Sequence, residues 1–264
     1  MSIVSPLRLC LVLLAVSGQA ASAEDGIVTD RPDFVESSDV VGAGRVQIET
    51  SLAWERNSRD GVSTRLRCTP TLLRLGVSEN WELRLETDGA LALRTTANGQ
   101  TQRDTGMADV SLGAKWHWQD GDEETGKPGM GWLFHIDVES GSAAFRGQGL
   151  RPSARFVAEW DLPGGMSLGV MPGLVWDRNE EGKRFVGGIL AAVLGKQLNE
   201  NLRGFVELSA QQIASTRNGG NVLSFDAGLA YLLNPGMQLD LAISRGLNKN
   251  TPDLQWTVGY SVKF

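Results

Sequence analysis

The chain has 264 residues, with 25 basic and 31 acidic side chains and a formal net charge of −6. A nucleic-acid-binding protein normally presents a basic face to the phosphates, so this balance argues against a nucleic-acid partner. Only Cys10 and Cys68 are cysteines, and Cys10 lies in an apolar leader, so the mature chain has no internal disulfide to rely on.

Residues 1–23 have the pattern of a cleavable secretory signal. Arg8 precedes an apolar stretch over residues 9–16, and the small residues 21–23 follow it. The apolar stretch is about half of the roughly 20 residues that a membrane-spanning helix needs. We therefore expect an exported mature chain that starts at Glu24.

Residues 24–43 are too polar to be the first strand, and they contain a proline. They include Thr29-Asp30-Arg31-Pro32-Asp33-Phe34. One interpretation is a periplasmic lead-in. The other is a plug inside a barrel, formed by Asp30, Arg31 and Asp33, in which the two aspartates pair with arginines of the lumen.

Residues 44–264 alternate apolar and polar side chains in stretches of about a dozen residues, without a helical period or a composition break. The clearest stretch runs from Met107 to Trp118, where the even positions from Ala108 onward are apolar and the odd positions from Asp109 onward are not. We predict an all-β fold, a closed antiparallel transmembrane β-barrel of about twelve strands. The expected strands are 44–56, 62–77, 81–93, 106–118, 129–140, 150–162, 166–177, 184–198, 202–213, 221–233, 237–247 and 253–264.

Two of these strands have an ambiguous pattern. In strand 62–77, Arg65 and Arg67 share parity with Leu73 and Leu75, so we predict a bulge near Pro70, which cannot donate a ladder hydrogen bond. Strand 184–198 is apolar on both parities, which leaves its register open.

The connections alternate as they do in outer-membrane barrels, which have short periplasmic turns and longer extracellular loops. Short turns of turn-forming residues follow the even-numbered strands at 78–80, 163–165, 199–201 and 234–236. Longer polar links are expected at 94–105, 141–149 and 214–220, with a shorter one at 178–183. The long acidic stretch 119–128 breaks this rule.

Strands of this length favour a membrane barrel over a soluble sandwich, since about 9–11 tilted residues cross the hydrocarbon layer. The eight tryptophans lie mostly near strand ends on the apolar face, as in interfacial girdles, although core tryptophans would give a similar pattern. The last strand carries its apolar face to Phe264. An aromatic C-terminal residue of this kind is expected to be the signal that barrel-assembly machinery recognises.

The inward positions carry interleaved charges, which we predict to line a pore. These charges either create a transverse field that orients polar solutes or form a salt-bridged filling of the lumen. The size of the barrel leaves both open, because twelve strands lie between the number that gives a filled barrel and the number that gives an open one. The predicted pore-lining residues are Glu82, Arg84, Glu86, Asp109, Lys115, Asp137, Glu139, Arg155, Glu159, Arg203, Glu207 and Asp240, with Lys263 also facing inward.

A catalytic or metal site has little support in the sequence. His117 and His135 are the only histidines, both predicted to face inward, and Ser111 or Asp137 could be partners in a hydrolytic site. Lone inward histidines are more often hydrogen-bonded lumen residues. No cluster has metal-ligand spacing, so we expect no catalytic residues, no metal and no cofactor.

The motif at residues 29–34, the stretch Gly44-Arg45-Val46-Gln47-Ile48-Glu49, and residues 72–85 with their tight turn resemble the outer-membrane family named for the meta-pathway of phenol degradation. The resemblance covers nearly the whole mature chain. It implies a transporter-like barrel for small solutes, aromatic or hydrophobic compounds among them, and it transfers no catalytic or binding residue.

These observations predict passive passage of small solutes through a bacterial outer membrane, with membrane lipid and the assembly machinery as partners. The first alternative is a structural or surface-interaction barrel without transport. The second is a lipid- or ester-hydrolysing barrel.

Overall fold

The computed structural model describes residues 26–179 and 181–264, so the predicted signal sequence lies outside the described residues. They form one antiparallel sheet whose first and last segments pair with each other, which closes it into a barrel. Its segments are β1 (Val46–Arg59), β2 (Val62–Cys68), β3 (Thr71–Gly76), β4 (Trp81–Thr87), β5 (Ala90–Ala97), β6 (Gln100–Met107), β7 (Val110–Gln119), β8 (Gly129–Val138), β9 (Arg151–Leu162), β10 (Met166–Arg178), β11 (Arg184–Asn199), β12 (Leu202–Ile213), β13 (Val222–Asn234), β14 (Met237–Gly246) and β15 (Leu254–Lys263), with a 3-10 turn at Thr216–Asn218.

The fifteen segments make twelve barrel strands, because three strands are each interrupted by two residues. The interruptions separate β2 from β3, β4 from β5, and β6 from β7. The predicted closed, twelve-stranded antiparallel barrel is therefore confirmed. No helix within the described ranges is long and apolar enough to cross a membrane.

Ten residue pairs between β1 and β15 close the barrel. The pairing runs from Gln47 opposite Lys263 to Arg56 opposite Leu254. Trp54 faces Trp256 in this ladder, and their rings stack with centroids 4.0 Å apart. At the other end of β1, the backbone N–H of Phe264 donates to the carbonyl of Val46 at 2.8 Å, so the C-terminal residue remains part of the closure.

The connections divide between the two ends of the barrel. Residues 77–80, 163–165, 200–201 and 235–236 form short turns at the end that holds the C-terminus, which we call the turn end. The longer connections 139–150, 214–221 and 247–253 lie at the opposite end, the loop end. Residues 120–128 join β7 to β8 at the turn end, so the irregular connection noted in the sequence is present in the structure.

The predicted polar link at 94–105 is wrong. β5 and β6 pair along their whole length as a hairpin, from Ala90 opposite Met107 to Ala97 opposite Gln100. Asn98 and Gly99 both have positive φ, at 51° and 74°, as a two-residue type I′ turn requires. This hairpin ends level with the β1–β2 hairpin, since Val62 pairs with Ala97, and it extends the wall beyond the end of β8, which pairs no further than Val110.

Strand 62–76 is interrupted at Thr69 and Pro70, but the predicted change of phase is absent. β1 keeps one register across the break, since it pairs Ala53 with Cys68 and Thr50 with Thr71. Arg65 and Arg67 therefore lie on the same face of the sheet as Leu73 and Leu75.

The barrel is apolar outside and charged inside. Exposed leucines and valines cover the outer face on every side, and fully buried charged side chains lie within the lumen. Trp54, Trp176 and Trp256 mark the outer face towards the loop end, whereas the stacked pair Trp81 and Trp116 lies towards the turn end. This arrangement suits an apolar solvent around the barrel wall.

Candidate functional site

Residues 26–44, the N-terminal segment, enter the lumen and return to the same end. At the turn end, the N–H of Ile27 donates to the carbonyl of Pro235 at 2.7 Å. Deeper in the barrel, the N–H groups of Phe34 and Val35 donate to Glu207 of β12 at 2.8 and 2.7 Å. The segment then returns to the turn end, where Gly44 bonds to Gly76 before β1 begins. It therefore forms a loop whose tip lies inside the barrel.

Asp30 is the most heavily paired residue of the segment. Its carboxylate lies 2.6 Å from Arg84, 2.7 Å from Lys115 and 3.4 Å from Arg74. Burial alone would raise the pKa of Asp30, but the combined attraction of Arg74, Lys115 and Arg84 holds it well below its ordinary value. The carboxylate is thus ionised, and it pairs with three cations of the wall formed by β3, β4 and β7.

Glu36 makes the second charged contact with this wall. Its two oxygens pair with Arg84 and, at 2.5 Å, with Arg155. Burial raises the pKa of Glu36, but Arg84 and Arg155 together lower it by more. The pKa of Glu36 therefore lies below its ordinary value. Arg84 therefore bridges Asp30 and Glu36, which fixes both limbs of the segment to β4.

Carboxylates of the wall also bind the backbone of the segment. Besides Glu207, the side chain of Glu159 accepts the N–H of Ser38 at 2.5 Å, and Glu82 accepts the N–H of Val41 at 3.0 Å. Glu49 accepts the N–H of Asp30 at 3.0 Å. Because backbone N–H groups cannot stay unpaired when buried, these contacts replace the water that an irregular segment would otherwise need.

The opposite side of the lumen holds the segment with fewer charges. Asp33 pairs with Arg203 of β12 at 2.8 Å, and Arg31 pairs with Asp240 of β14 at 3.1 Å. The side chain of Arg203 is 32% exposed, whereas those of Arg74, Arg84 and Lys115 are at most 1% exposed. The contact between Asp33 and Arg203 is therefore the most solvent-accessible of the pairs that join the segment to arginine or lysine side chains of the wall.

An apolar patch inside the lumen completes the packing of the segment. Val35 packs against side chains of β8 to β12. Phe34 and Ala242 pack against the edge of this apolar patch. The wall members are Leu133, Val157, Met171, Ala191, Val193 and Phe205. The lumen thus has a charged side and an apolar side, and the segment contacts both.

Two cavities remain on either side of the segment. The loop-end vestibule has a volume of about 700 Å³ and is lined by Phe34, Asp109 and Arg155 among others. The turn-end vestibule has a volume of about 500 Å³ and is lined by Val28, Asp39 and Arg203 among others. Asp33 and Phe34 also line two smaller cavities of about 180 and 190 Å³.

The residues predicted to line a pore fall into three groups. Those in contact with the segment are Glu82, Arg84, Lys115, Arg155, Glu159, Arg203, Glu207 and Asp240. Glu86, Asp109 and Asp137 line the loop-end vestibule. Glu139 lies one residue beyond β8, exposed, where it accepts the N–H of Gly149 and pairs with Arg146.

Sequence reasoning missed Glu49 and Arg74, which are fully buried and pair at 3.1 Å. The period of β1 and of β3 identifies both as inward residues.

The two histidines make different contacts. His117 lies 3.0 Å from the carbonyl of Ser38 and 2.9 Å from Asp120. His135 accepts a hydrogen bond from Arg84 at 3.2 Å. Neither bonds to Ser111 or Asp137, the partners considered for hydrolysis. No group of three or more metal-ligating side chains occurs among the residues that the structure describes.

The backbone of Gly42 packs closely against Gly76 where the segment joins the barrel. A Cβ on Gly76 would lie 1.7 Å from the carbonyl oxygen of Gly42, so Gly76→Ala is expected to displace the returning limb and speed hydrogen exchange over residues 38–44. Gly188→Ala is the control, since its Cβ would lie no closer than 3.4 Å to any neighbour. Equal exchange in the two variants would contradict the prediction.

Comparison with solved structures identifies similar barrels. The COG4313 outer membrane channel from Pseudomonas putida F1 matches with a TM-score of 0.63 and 12% identity, covering 89% of this chain and 99% of that chain. The β domain of the Bordetella autotransporter BrkA matches with a TM-score of 0.52 and 14% identity, covering 84% and 100%. At these identities the similarity establishes the fold.

Comparison with families gives a match over residues 29–264, to the model described as "Putative MetA-pathway of phenol degradation". No curated protein matches the chain. The match includes both the N-terminal segment from Thr29 and the whole barrel to Phe264. The chain therefore belongs to this family, as the motif at residues 29–34 had suggested.

Proposed function

We propose that the protein is an outer-membrane channel through which small solutes pass without an energy source. The observation that carries this proposal is the division of the lumen into two vestibules, open towards opposite ends and separated by the N-terminal segment. A barrel with only a structural role has no need of a hydrated space at both ends. The similarity in fold to the Pseudomonas putida channel supports the same function.

The outer face supports insertion into a membrane. Large apolar side chains such as Leu52, Leu112 and Leu208 are each more than half exposed, which would be unfavourable in water over a whole barrel surface. The tryptophans towards each end match the interfacial girdles of outer-membrane barrels. We place the turn end, with its short connections and the C-terminus, on the periplasmic side, and the loop end outside the cell.

In this proposal the N-terminal segment is the plug, with Asp30, Arg31 and Asp33 as its anchoring residues. Asp30 and Glu36 bind the β3, β4, β7 and β9 wall through side chains that are at most 19% exposed. The side towards β12 is held through the more accessible pair of Asp33 and Arg203. We place the solute path on this second side, past the accessible pair of Asp33 and Arg203.

The composition of this path favours small solutes with apolar surface. Phe34 borders the loop-end vestibule, and Phe205 belongs to the apolar patch on the β12 side. Both vestibules have more carboxylates than basic side chains, which disfavours anions. Small uncharged compounds, aromatic ones included, fit these conditions and agree with the family description.

Arg203→Ala tests the position of the path. Removing this side chain breaks the ion pair with Asp33 and widens the gap beside the plug, so single-channel conductance in planar bilayers is expected to rise by about twofold, since the narrowest part of a pore limits its conduction. Arg217→Ala is the matched control, because Arg217 is exposed in the connection between β12 and β13.

Two results would contradict these assignments. A conductance of Arg203→Ala equal to that of the control would place the path elsewhere. No conductance from either variant or from the unmodified protein, after folded barrels had been shown to insert, would favour the structural barrel over the channel.

A further inference from the structure

The outer face of the barrel carries a row of arginines near the loop end. Arg56 of β1 faces Arg65 of β2, Arg65 faces Arg94 of β5, and Arg94 faces Arg103 of β6. Directly paired residues of neighbouring strands point to the same side of a sheet. With strands about 4.8 Å apart, the four backbone positions form a transverse row of roughly 14 Å.

The row lies just outside the apolar belt. Trp54 precedes Arg56 by two residues on the same face, and it stacks on Trp256 of β15. Arg67 lies opposite Trp54 and adds a fifth guanidinium at the level of these rings. Because tryptophans of this kind mark the edge of the hydrocarbon layer, the row lies at the depth of the lipid headgroups.

The five arginines, which we call the arginine row, have no anionic partner within the described part of the chain. All five side chains are exposed, and none has a hydrogen bond or an ion pair. The arginines of the lumen, in contrast, are paired with carboxylates. Like charges that face each other across strands are destabilising, so this arrangement calls for an anion from outside the chain.

The pattern around the row provides no carboxylate on the same face. The next paired positions towards the loop end are Ser58, Ser63, Thr96 and Thr101. Leu254 lies beside Arg56, and Arg245 faces Leu254 from β14. The row is therefore a local basic surface on a chain whose net charge is −6.

We infer that the arginine row binds the phosphate groups of the phosphorylated glycolipid in the outer leaflet. Guanidinium groups bind phosphate through paired, charge-assisted hydrogen bonds, and several in a row can bind more than one phosphate of a single headgroup. The exposed leucines and valines below the tryptophans would contact its acyl chains. This inference rests on the membrane placement proposed above and is independent of conduction through the lumen.

The test measures binding of purified bis-phosphorylated lipid A to the full-length protein in detergent. Substituting Arg65→Gln with Arg94→Gln removes the two central guanidiniums, and we expect binding about tenfold weaker because two charge-assisted contacts are lost. Arg184→Gln with Arg217→Gln is the control, since it removes the same charge from exposed positions elsewhere near the loop end. The control is expected to bind as the unmodified protein does.

Further arms identify the lipid group that is recognised. Dephosphorylated lipid A and phosphatidylglycerol are expected to bind much more weakly than the bis-phosphorylated lipid. Equal binding by either of them, or by the double variant, would overturn the inference. Folding is checked by heat-modifiable migration, and Arg103→Gln, at the edge of the sheet, provides a milder variant with a smaller expected loss.

Discussion

Deleting residues 26–40 is expected to raise single-channel conductance by at least about tenfold, because the tip of the plug then no longer separates the vestibules and the pore takes the width of the barrel itself. The deletion leaves Gly42 and Gly44 to lead into β1, so the closing ladder with β15 is kept. Arg74 of the wall still has carboxylate partners after the deletion, since it pairs with Glu49 and Glu82 of neighbouring strands.

The measurement is conductance in planar bilayers, with a control that deletes the exposed residues 123–126 at the same end of the barrel. The control is expected to conduct as the unmodified protein does. A tenfold rise in both would point to a general loosening of the barrel, and no rise in either would contradict the plug. An intermediate result for the deletion would indicate that the wall side chains alone narrow the lumen.

Asp30→Asn is expected to release the plug without removing it. The substitution leaves Arg84 and Lys115 without their shared carboxylate, and breaking a buried ion pair on one side costs about 3–5 kcal/mol. Since Arg84 keeps its contacts with Glu36 and Glu82, we expect the substitution to weaken binding of the segment to the wall by about 3 kcal/mol. At about 1.4 kcal/mol per tenfold, the fraction of time that the segment is displaced would rise roughly 100-fold.

Asp39→Asn is the matched control for this variant. It removes one carboxylate from the same segment, but the side chain of Asp39 is 52% exposed and its carbonyl, which accepts from Arg74 and Lys115, is unchanged. Hydrogen exchange of residues 27–38 is expected to accelerate in Asp30→Asn alone. Equal exchange in the two variants would mean that the charge of Asp30 does not hold the segment.

The pH dependence of the same contact has a defined direction. Because its pKa is lowered in the folded protein, Asp30 contributes its full stabilisation above the ordinary aspartate pKa of 3.8. The contribution is lost only as the pH falls through the lowered pKa. The difference in hydrogen exchange of residues 27–38 between Asp30→Asn and the unmodified protein is therefore expected to be the same at pH 7 and at pH 5.

The barrel could be predicted from the sequence because its strands follow one rule. In β7 and β15 every second residue is apolar, since one face points out of the barrel and the other points into the lumen. The rule fails in the hairpin at the loop end. β5 and β6 are polar on both faces near their turn, although the dipeptide Asn98-Gly99 is itself a hairpin signal.

The contacts of the plug could not be predicted to the same degree. Asp30 is 54 residues from Arg84 and 85 from Lys115 in the chain, and they meet only after the sheet has closed. A charged inward residue has the same pattern whether its partner is another strand, the plug or water. The apolar patch around Leu133 and Met171 was also missed, because the predicted pore-lining residues were all charged.

The covalent join between the plug and β1 keeps a displaced plug close to its binding site. Gly42 and Gly44, with φ of 87° and 71°, form a short link between Val41 and the first strand, so a segment that leaves its site stays attached beside it. A tethered ligand of this kind has an effective concentration on the order of millimolar. Reblocking would then be independent of protein concentration, and a free peptide of residues 26–41 would have to be supplied at about that concentration to compete.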